Sequence, residues 1–208
     1  MSKQNIRYER KIYLPFLTRD LVETHIKLHP YGFREVYYKR QVNSIYFDTA
    51  SLSCFWNNEL NACKRAKIRV RWYGENLECP DDAQLEIKIK NGNVGDKLTS
   101  EWRELKDPFI LSQIKNTSPV ILVSYQRRYY QSYGKKFRIT VDSEIKYKGV
   151  TQNCMKKQQY EETGCVIELK YASYLDGEAK RIIEKLPGRV GKFSKYARGI
   201  LNIYGTHY

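Results

Sequence analysis

Three short runs, Glu9-Arg10-Lys11, Glu86-Ile87-Lys88 and Glu168-Leu169-Lys170, each set a carboxylate two residues before an ammonium. On an extended chain that spacing puts both groups on one side. Further cations keep the same phase: Arg69 and Arg71 are two residues apart, and Arg138 shares its parity with Thr140 and Asp142. Cations alone bind any polyanion. Carboxylates among them have a narrower use, because an acid can hold a divalent metal that bridges phosphate oxygens while the cations neutralise the rest. The ordinary alternative is a solvated strand face carrying cross-strand ion pairs. Three copies in phase with the arginines favour a phosphate site.

The elements that must carry these groups are strands. From Lys64 to Lys90, Arg65, Lys67, Arg69, Arg71 and Tyr73 alternate with Ala66, Ile68, Val70 and Trp72. After a break, Gln84, Glu86, Lys88 and Lys90 alternate with Leu85, Ile87 and Ile89. A period of two with β-branched partners predicts strands. Further strands are expected over Asn5–Tyr13, Arg34–Asp48, Leu98–Leu105, Pro119–Tyr130, Lys136–Ile145 and Cys165–Tyr171. Pro15 ends the first, and Asn91-Gly92-Asn93 with Gly95-Asp96 marks a turn or mobile loop. Helices are expected from Arg19 to about Leu28 after Thr18, with Leu21, Val22, His25 and Ile26 as its apolar positions. Others are expected over Ser51–Ala62, Pro108–Lys115, Leu175–Leu186 and Ser194–Tyr204. Eight or so turn-linked strands with helices near both ends predict an α+β fold, an antiparallel β-barrel with helices packed outside.

The totals agree with that picture. A chain of 208 residues suits one domain over residues 1–208, and 41% hydrophobic with 13% aromatic residues supplies a core. Eighteen tyrosines suit half-buried strands. Net charge is +14, from 37 Lys and Arg against 23 Asp and Glu, which favours a polyanionic partner. The basic residues lie along strand faces and not in a tail, which argues for a lined groove or pore. Five cysteines without a C-x-x-C pair, and no apolar leader, point to a reducing cytoplasm and no structural zinc. No stretch nears the ~20 apolar residues that cross a bilayer.

Other residues have plainer readings. His25 is expected to be packed or on the surface, Trp56 and Trp72 to be core, and the cysteines to be small buried hydrophobes. Asp48, following a strand, is expected to cap the next helix in preference to touching metal.

In order along the chain, Arg7-Tyr8-Glu9-Arg10-Lys11, Asn43-Ser44-Ile45-Tyr46-Phe47-Asp48, Ile68-Arg69-Val70-Arg71-Trp72-Tyr73-Gly74 and Glu86-Ile87-Lys88 are followed by four more motifs. These are Tyr125-Gln126-Arg127, Phe137-Arg138-Ile139-Thr140-Val141-Asp142, Glu168-Leu169-Lys170 and Phe193-Ser194-Lys195-Tyr196. Over essentially its whole length the chain resembles the VTC domain, the polyphosphate polymerase branch of the triphosphate tunnel metalloenzymes. The Arg69–Gly74 run and the terminal Phe193–Tyr196 motif carry the resemblance most specifically.

The resemblance implies an eight-stranded antiparallel tunnel in which the γ-phosphoryl of ATP passes to a growing polyphosphate chain. Lys11, Arg69, Arg71, Lys88, Arg127 and Arg138 would then bind phosphate. Ser194 and Lys195 would close on the phosphates from the final helix, with Lys170 a further substrate contact and Glu168 holding Mn²⁺ or Mg²⁺. Lys97 and Arg103 compete for one further cation role, and Glu86 is open between metal neighbour and ion-pair partner.

The implied partners are ATP and inorganic polyphosphate or pyrophosphate, with no specific nucleic acid. The domain is expected to stand alone, so export of polymer would need a separate membrane partner; the sequence leaves the oligomeric state open. The hydrolytic branch opens with Glu-x-Glu-x-Lys, whereas this chain has Arg7 at the first position. One carboxylate fewer favours polymerase over triphosphatase. A non-catalytic polyphosphate- or nucleotide-binding module is the third reading. General nucleic-acid binding is the fourth, without a helix-turn-helix, RNP or zinc signature to support it.

Overall fold

Alternating residues dictate most of the architecture seen in the computed structural model, which describes residues 7–92, 94–151 and 155–205. Asn5 and Ile6 of the expected first strand, Asn93 of the expected turn, and Cys154 lie outside the described residues. The class is the expected α+β. Among the described residues nine strands form an antiparallel sheet: β1 (Arg7–Leu14), β2 (Arg34–Asp48), β3 (Lys64–Tyr73), β4 (Gln84–Asn91), β5 (Val94–Glu101), β6 (Ser118–Gln131), β7 (Arg138–Val150), β8 (Met155–Glu161) and β9 (Cys165–Ala172). Their hydrogen-bonded order is β1-β9-β7-β6-β2-β3-β4-β5, with β8 on β7. The helices are α1 (Arg19–Lys27), α2 (Ser53–Glu59), α3 (Pro108–Ile114), α4 (Asp176–Ile183) and α5 (Lys195–Tyr204). None among the described residues is long and apolar enough to cross a membrane.

The chain folds as two compact units, each assembled from separated segments. The first comprises residues 1–40, 125–145 and 162–193. Its core gathers Ile12 and Leu14 of β1, Ile139 and Val141 of β7, and Ile167 and Leu169 of β9 against Val22 and Ile26 of α1 and Ala179 and Ile182 of α4. Alternation therefore leaves Glu9 and Lys11, Arg138, Thr140 and Asp142, and Glu168 and Lys170 on the opposite face. Register aligns them in rows: Glu9 pairs with Lys170 and Lys170 with Arg138, while Lys11 pairs with Glu168 and Glu168 with Thr140.

The second unit comprises residues 41–124, 146–161 and 194–208. Ile68, Val70 and Trp72 of β3 and Leu85 and Ile87 of β4 form its core with Ile110 of α3, Leu122 and Val150. The opposite face carries rows Tyr46–Arg69–Glu86–Thr99 and Ser44–Arg71–Gln84–Glu101, and a row of three lysines, Lys67–Lys88–Lys97.

Local chemistry sets the helix ends. Pro108 opens α3, whose N-cap Asp107 accepts from the amides of Phe109 and Ile110. Acidic Asp176 and Glu178 lie in the first turn of α4, and Lys180 and Arg181 in its last, complementing the helix dipole. Ser194 caps α5 by accepting from the Ala197 amide, and Gly205 ends it at φ 60°.

Several expectations are corrected. In α1, Leu21 and His25 are exposed, and Glu23 is buried beside Val22 and Ile26. Ion pairs of Glu23 with Arg19, Lys27 and Arg128 explain that exchange. The return strand β5 begins at Val94 and not at Leu98, so Gly95 and Asp96 pair with Lys90 and Ile89 instead of forming a loop. Strand β8, Met-Lys-Lys-Gln-Gln-Tyr-Glu, went unforeseen because it carries no apolar alternation. Trp72 is buried, but Trp56 is only half-buried. Of the described cysteines only Cys165 is buried; Cys63 is exposed, and Cys54 and Cys79 are intermediate.

Gly164 occupies a position no side chain fits: a Cβ there would lie 2.1 Å from the Leu14 carbonyl oxygen and 2.6 Å from the Pro15 Cα. Backbone atoms cannot rotate away. Gly164→Ala should therefore cost about 2 kcal/mol or more, seen in thermal unfolding as a fall in Tm of roughly 4–8 °C.

Candidate phosphate-binding site

In the first unit the polar face is a network of shared charges. The Lys11 ammonium lies 3.1 Å from Glu9 and 3.5 Å from Glu168, and that of Lys170 lies 3.4 Å from Glu9 and 3.5 Å from Glu168. Lys11 also donates to the Phe193 carbonyl at 3.2 Å. Arg127 of β6 grips Asp142 through Nε and Nη2 at 2.5 and 2.7 Å and reaches Glu168 at 3.5 Å. Burial alone would lower the basicity of Arg127, but Asp142 outweighs it and keeps the guanidinium firmly charged. Burial and the neighbouring Glu168 push the Glu9 carboxyl up, yet Lys11 and Lys170 hold it below the usual range. Arg138 is exposed beside Lys170.

In the second unit one carboxylate organises the cations. Glu86 accepts from Arg69 and, at 2.9 Å, from Lys97, with Arg71 3.7 Å away. Its burial would raise the carboxyl; Arg69 and Arg71 reverse this, and with the Lys97 hydrogen bond they bring it down to about 2. Glu86 is thus an ion-pair partner in this structure. Lys97 reaches it, whereas Arg103 lies in the turn after β5, paired with Asp81 at 2.7 Å. Lys88 stands exposed between Lys67 and Lys97 in the lysine row.

The N-terminus of α5 reaches the same face of the second unit. Ser194 Oγ accepts from the Lys67 ammonium at 3.1 Å, and Lys195 is buried. Tyr196 donates to Asp48, whose two oxygens also take the Thr49, Cys54 and Phe55 amides. Asp48 therefore holds the start of α2, as expected of a cap, and also anchors α5. The Tyr196 ring stacks on Tyr46 at 5.0 Å between centroids, and Tyr46 accepts from Arg69 at 3.1 Å. Burial would raise the Tyr46 phenol, but Arg69 and Arg71, joined by Lys67, lower it to about 8. Burial followed by Asp48 drives the Tyr196 phenol the other way.

The structure thus brings together Lys11, Arg127, Glu168 and Lys170 with Arg138 alongside, and separately Arg69, Arg71, Lys88 and Lys97 with Ser194 and Lys195. Sequence reasoning did not name Lys67, Tyr46 or Tyr196 as site residues. For Lys67 the signal was present, since it alternates in phase with Arg69 and Arg71.

No group of three or more His, Cys, Asp or Glu side chains is poised for a metal among the described residues. A phosphate-bridging divalent ion needs less: one or two carboxylates, with the rest of its shell from phosphate and water. Glu9 and Glu168 supply two hard oxygen donors that share both lysines, and the Thr140 hydroxyl beside Glu168 is buried with no hydrogen-bond partner among the described residues. The donor set fits such an ion.

The depressed Glu86 carboxyl has a pH consequence. A group whose pKa falls on folding stabilises above its unfolded value and loses that contribution as pH drops through the folded one. Stability should therefore decline between about pH 5 and pH 2 in urea titrations. Glu86→Gln should remove on the order of 2–3 kcal/mol at neutral pH and flatten that segment of the profile.

No protein of curated function matches the chain at significant sequence similarity. Solved structures do. The PH1819 protein from Pyrococcus horikoshii OT3 superposes with a TM-score of 0.55 at 14% identity, over 96% of this chain and 99% of that one. A candidate adenylate cyclase from Vibrio parahaemolyticus gives 0.55 at 10%, over 91% and 95%. A candidate adenylyl cyclase from Hippeastrum, described as having a dominant triphosphatase activity, gives 0.52 at 13%, over 92% and 95%. At such identities these neighbours share the fold. The sequence profile of the VTC domain matches residues 7–114 and 103–204. The chain belongs to the VTC domain family.

Proposed function

We propose that this chain is an ATP-dependent polyphosphate polymerase, transferring the γ-phosphoryl group of ATP to the end of a polyphosphate chain. The observation that carries the reading is the excess of cations over carboxylates on both polar faces. Arg69, Arg71, Lys67, Lys88 and Lys97 share a face with Glu86, and Lys11, Lys170, Arg127 and Arg138 share one with Glu9, Glu168 and Asp142.

The chemistry explains why such an excess serves transfer to phosphate. A terminal phosphate oxygen is already ionised, so it needs no base to become a nucleophile. Its obstacle is the repulsion between two polyanions, which fixed guanidinium and ammonium groups offset. The bond between the γ-phosphorus and its bridging oxygen breaks, a new phosphorus–oxygen bond forms to the polymer end, and ADP leaves. Arg69, Arg71 and Lys88 would hold phosphate oxygens, with Lys97 positioned by Glu86; Lys11, Arg127, Arg138 and Lys170 would do the same in their unit. Ser194 and Lys195 would meet the phosphates from α5. A divalent ion, Mn²⁺ or Mg²⁺, held by Glu168 with Glu9 would neutralise charge on the transferred group.

Metal-dependent hydrolysis of a triphosphate is the second reading, supported by the activity described for the Hippeastrum neighbour. The products decide. Purified protein with ATP and Mn²⁺ should yield long-chain polyphosphate and ADP, resolved on gels and by ³¹P NMR. Free phosphate as the sole product would assign the site to hydrolysis. Glu168→Gln should lower turnover by a hundredfold or more while ATP still binds.

A further inference from the structure

The four charged groups at the centre of the first unit's polar face form a closed ring. Each ammonium, Lys11 and Lys170, spans both carboxylates, and each carboxylate, Glu9 and Glu168, has an ammonium on either side, all at 3.1–3.5 Å. These groups have two claims on them in the proposed function, since the carboxylates would take the divalent ion and the lysines would take phosphate. Both claims cannot be met while the ring is closed. A divalent ion against the two carboxylates with both ammoniums still in place would set four positive charges against two negative ones.

We propose that Lys11 and Lys170 act as a latch: without phosphate they close Glu9 and Glu168 to divalent cations, and a phosphate chain opens the site by drawing the ammoniums onto its own oxygens. The inference rests on reading this face as a phosphate site. Metal and phosphate then bind as a coupled pair, each strengthening the other by the same factor. Arg127 is not part of the latch, because Asp142 holds it in a bidentate pair.

A separate observation points to a ligand here. Thr140 is 3% exposed and lies next to Glu168 in register, and its hydroxyl has no hydrogen-bond partner among the described residues. Its chain neighbours Ile139 and Val141 belong to the core, so Thr140 faces the ring. A buried hydroxyl left without a partner is destabilising. A hydrated ion seated on Glu168 would supply that partner.

The test is Mn²⁺ titration of the whole protein in phosphate-free buffer, followed by the electron paramagnetic resonance signal of free Mn²⁺. Wild type should bind weakly. The Lys11→Met/Lys170→Met variant should bind Mn²⁺ at least tenfold more tightly, and adding Glu168→Gln should abolish the gain. Calorimetry with pyrophosphate in EDTA should show weaker phosphate binding by the same double variant. If thermal unfolding shows the double variant to be unfolded, Lys170→Met alone, at the more exposed lysine, should still bind Mn²⁺ at least threefold more tightly than wild type. Mn²⁺ affinity equal to or below that of wild type in the folded variants overturns the latch. Failure of polymer synthesis would leave these titrations unchanged, whereas wild type that does not bind pyrophosphate at all would overturn the phosphate reading beneath both.

Discussion

A strand face crowded with ammonium and guanidinium groups repels itself, and in this protein a few buried carboxylates hold it together. Glu86 sits among Arg69, Arg71 and Lys97; Glu168 sits among Lys11, Lys170 and Arg127. Removing such a carboxylate leaves the cations around it uncompensated, at a cost on the order of 2–3 kcal/mol for Glu86. In the proposed function a bound phosphate chain would do the opposite, adding acceptors where the native acceptors are outnumbered. The protein is thus built around a charge imbalance that the carboxylates contain and that the proposed polyanion would relieve.

A second layer fixes the arginines in place. Tyr46 accepts from Arg69 and stacks on Tyr196, which is tied through Asp48 to the first amides of α2. A single carboxylate thereby joins a strand end, a helix start and the helix that carries Ser194 and Lys195. Gly199 lets α5 lie close, since a Cβ there would meet Ile121 and Tyr147 within 2.5–2.8 Å. Together these contacts hold a guanidinium and a helix N-terminus in register within one unit.

Much of this was legible in the sequence, for a physical reason. The alternation in β3 and β4 separates a charged face from an apolar one, and the structure keeps that partition, although Glu86 on the charged face is itself buried among its cations. The capping role of Asp48 followed from its place at a strand end. What stayed hidden were features set by partners distant in sequence. Burial of Glu23 depends on Arg128, strand β8 exists through pairing with β7, and the Tyr46–Tyr196–Asp48 chain joins residues 148 to 150 positions apart. The choice of Lys97 over Arg103 at Glu86 depended on where β5 begins, which its weak alternation concealed.

The tie between Asp48 and Tyr196 also sets an order of events during synthesis. Every strand of the second unit leaves the ribosome before α5 does, yet the Tyr46–Arg69 side of its polar face gains its stacking partner only when residue 196 arrives. Until then Tyr46 lacks the ring that stacks on it and Asp48 lacks the hydroxyl that donates to it. Non-local closure of this kind is slow to form. The final helix is therefore a late keystone, the last element to close on the Tyr46–Arg69 side of the polar face.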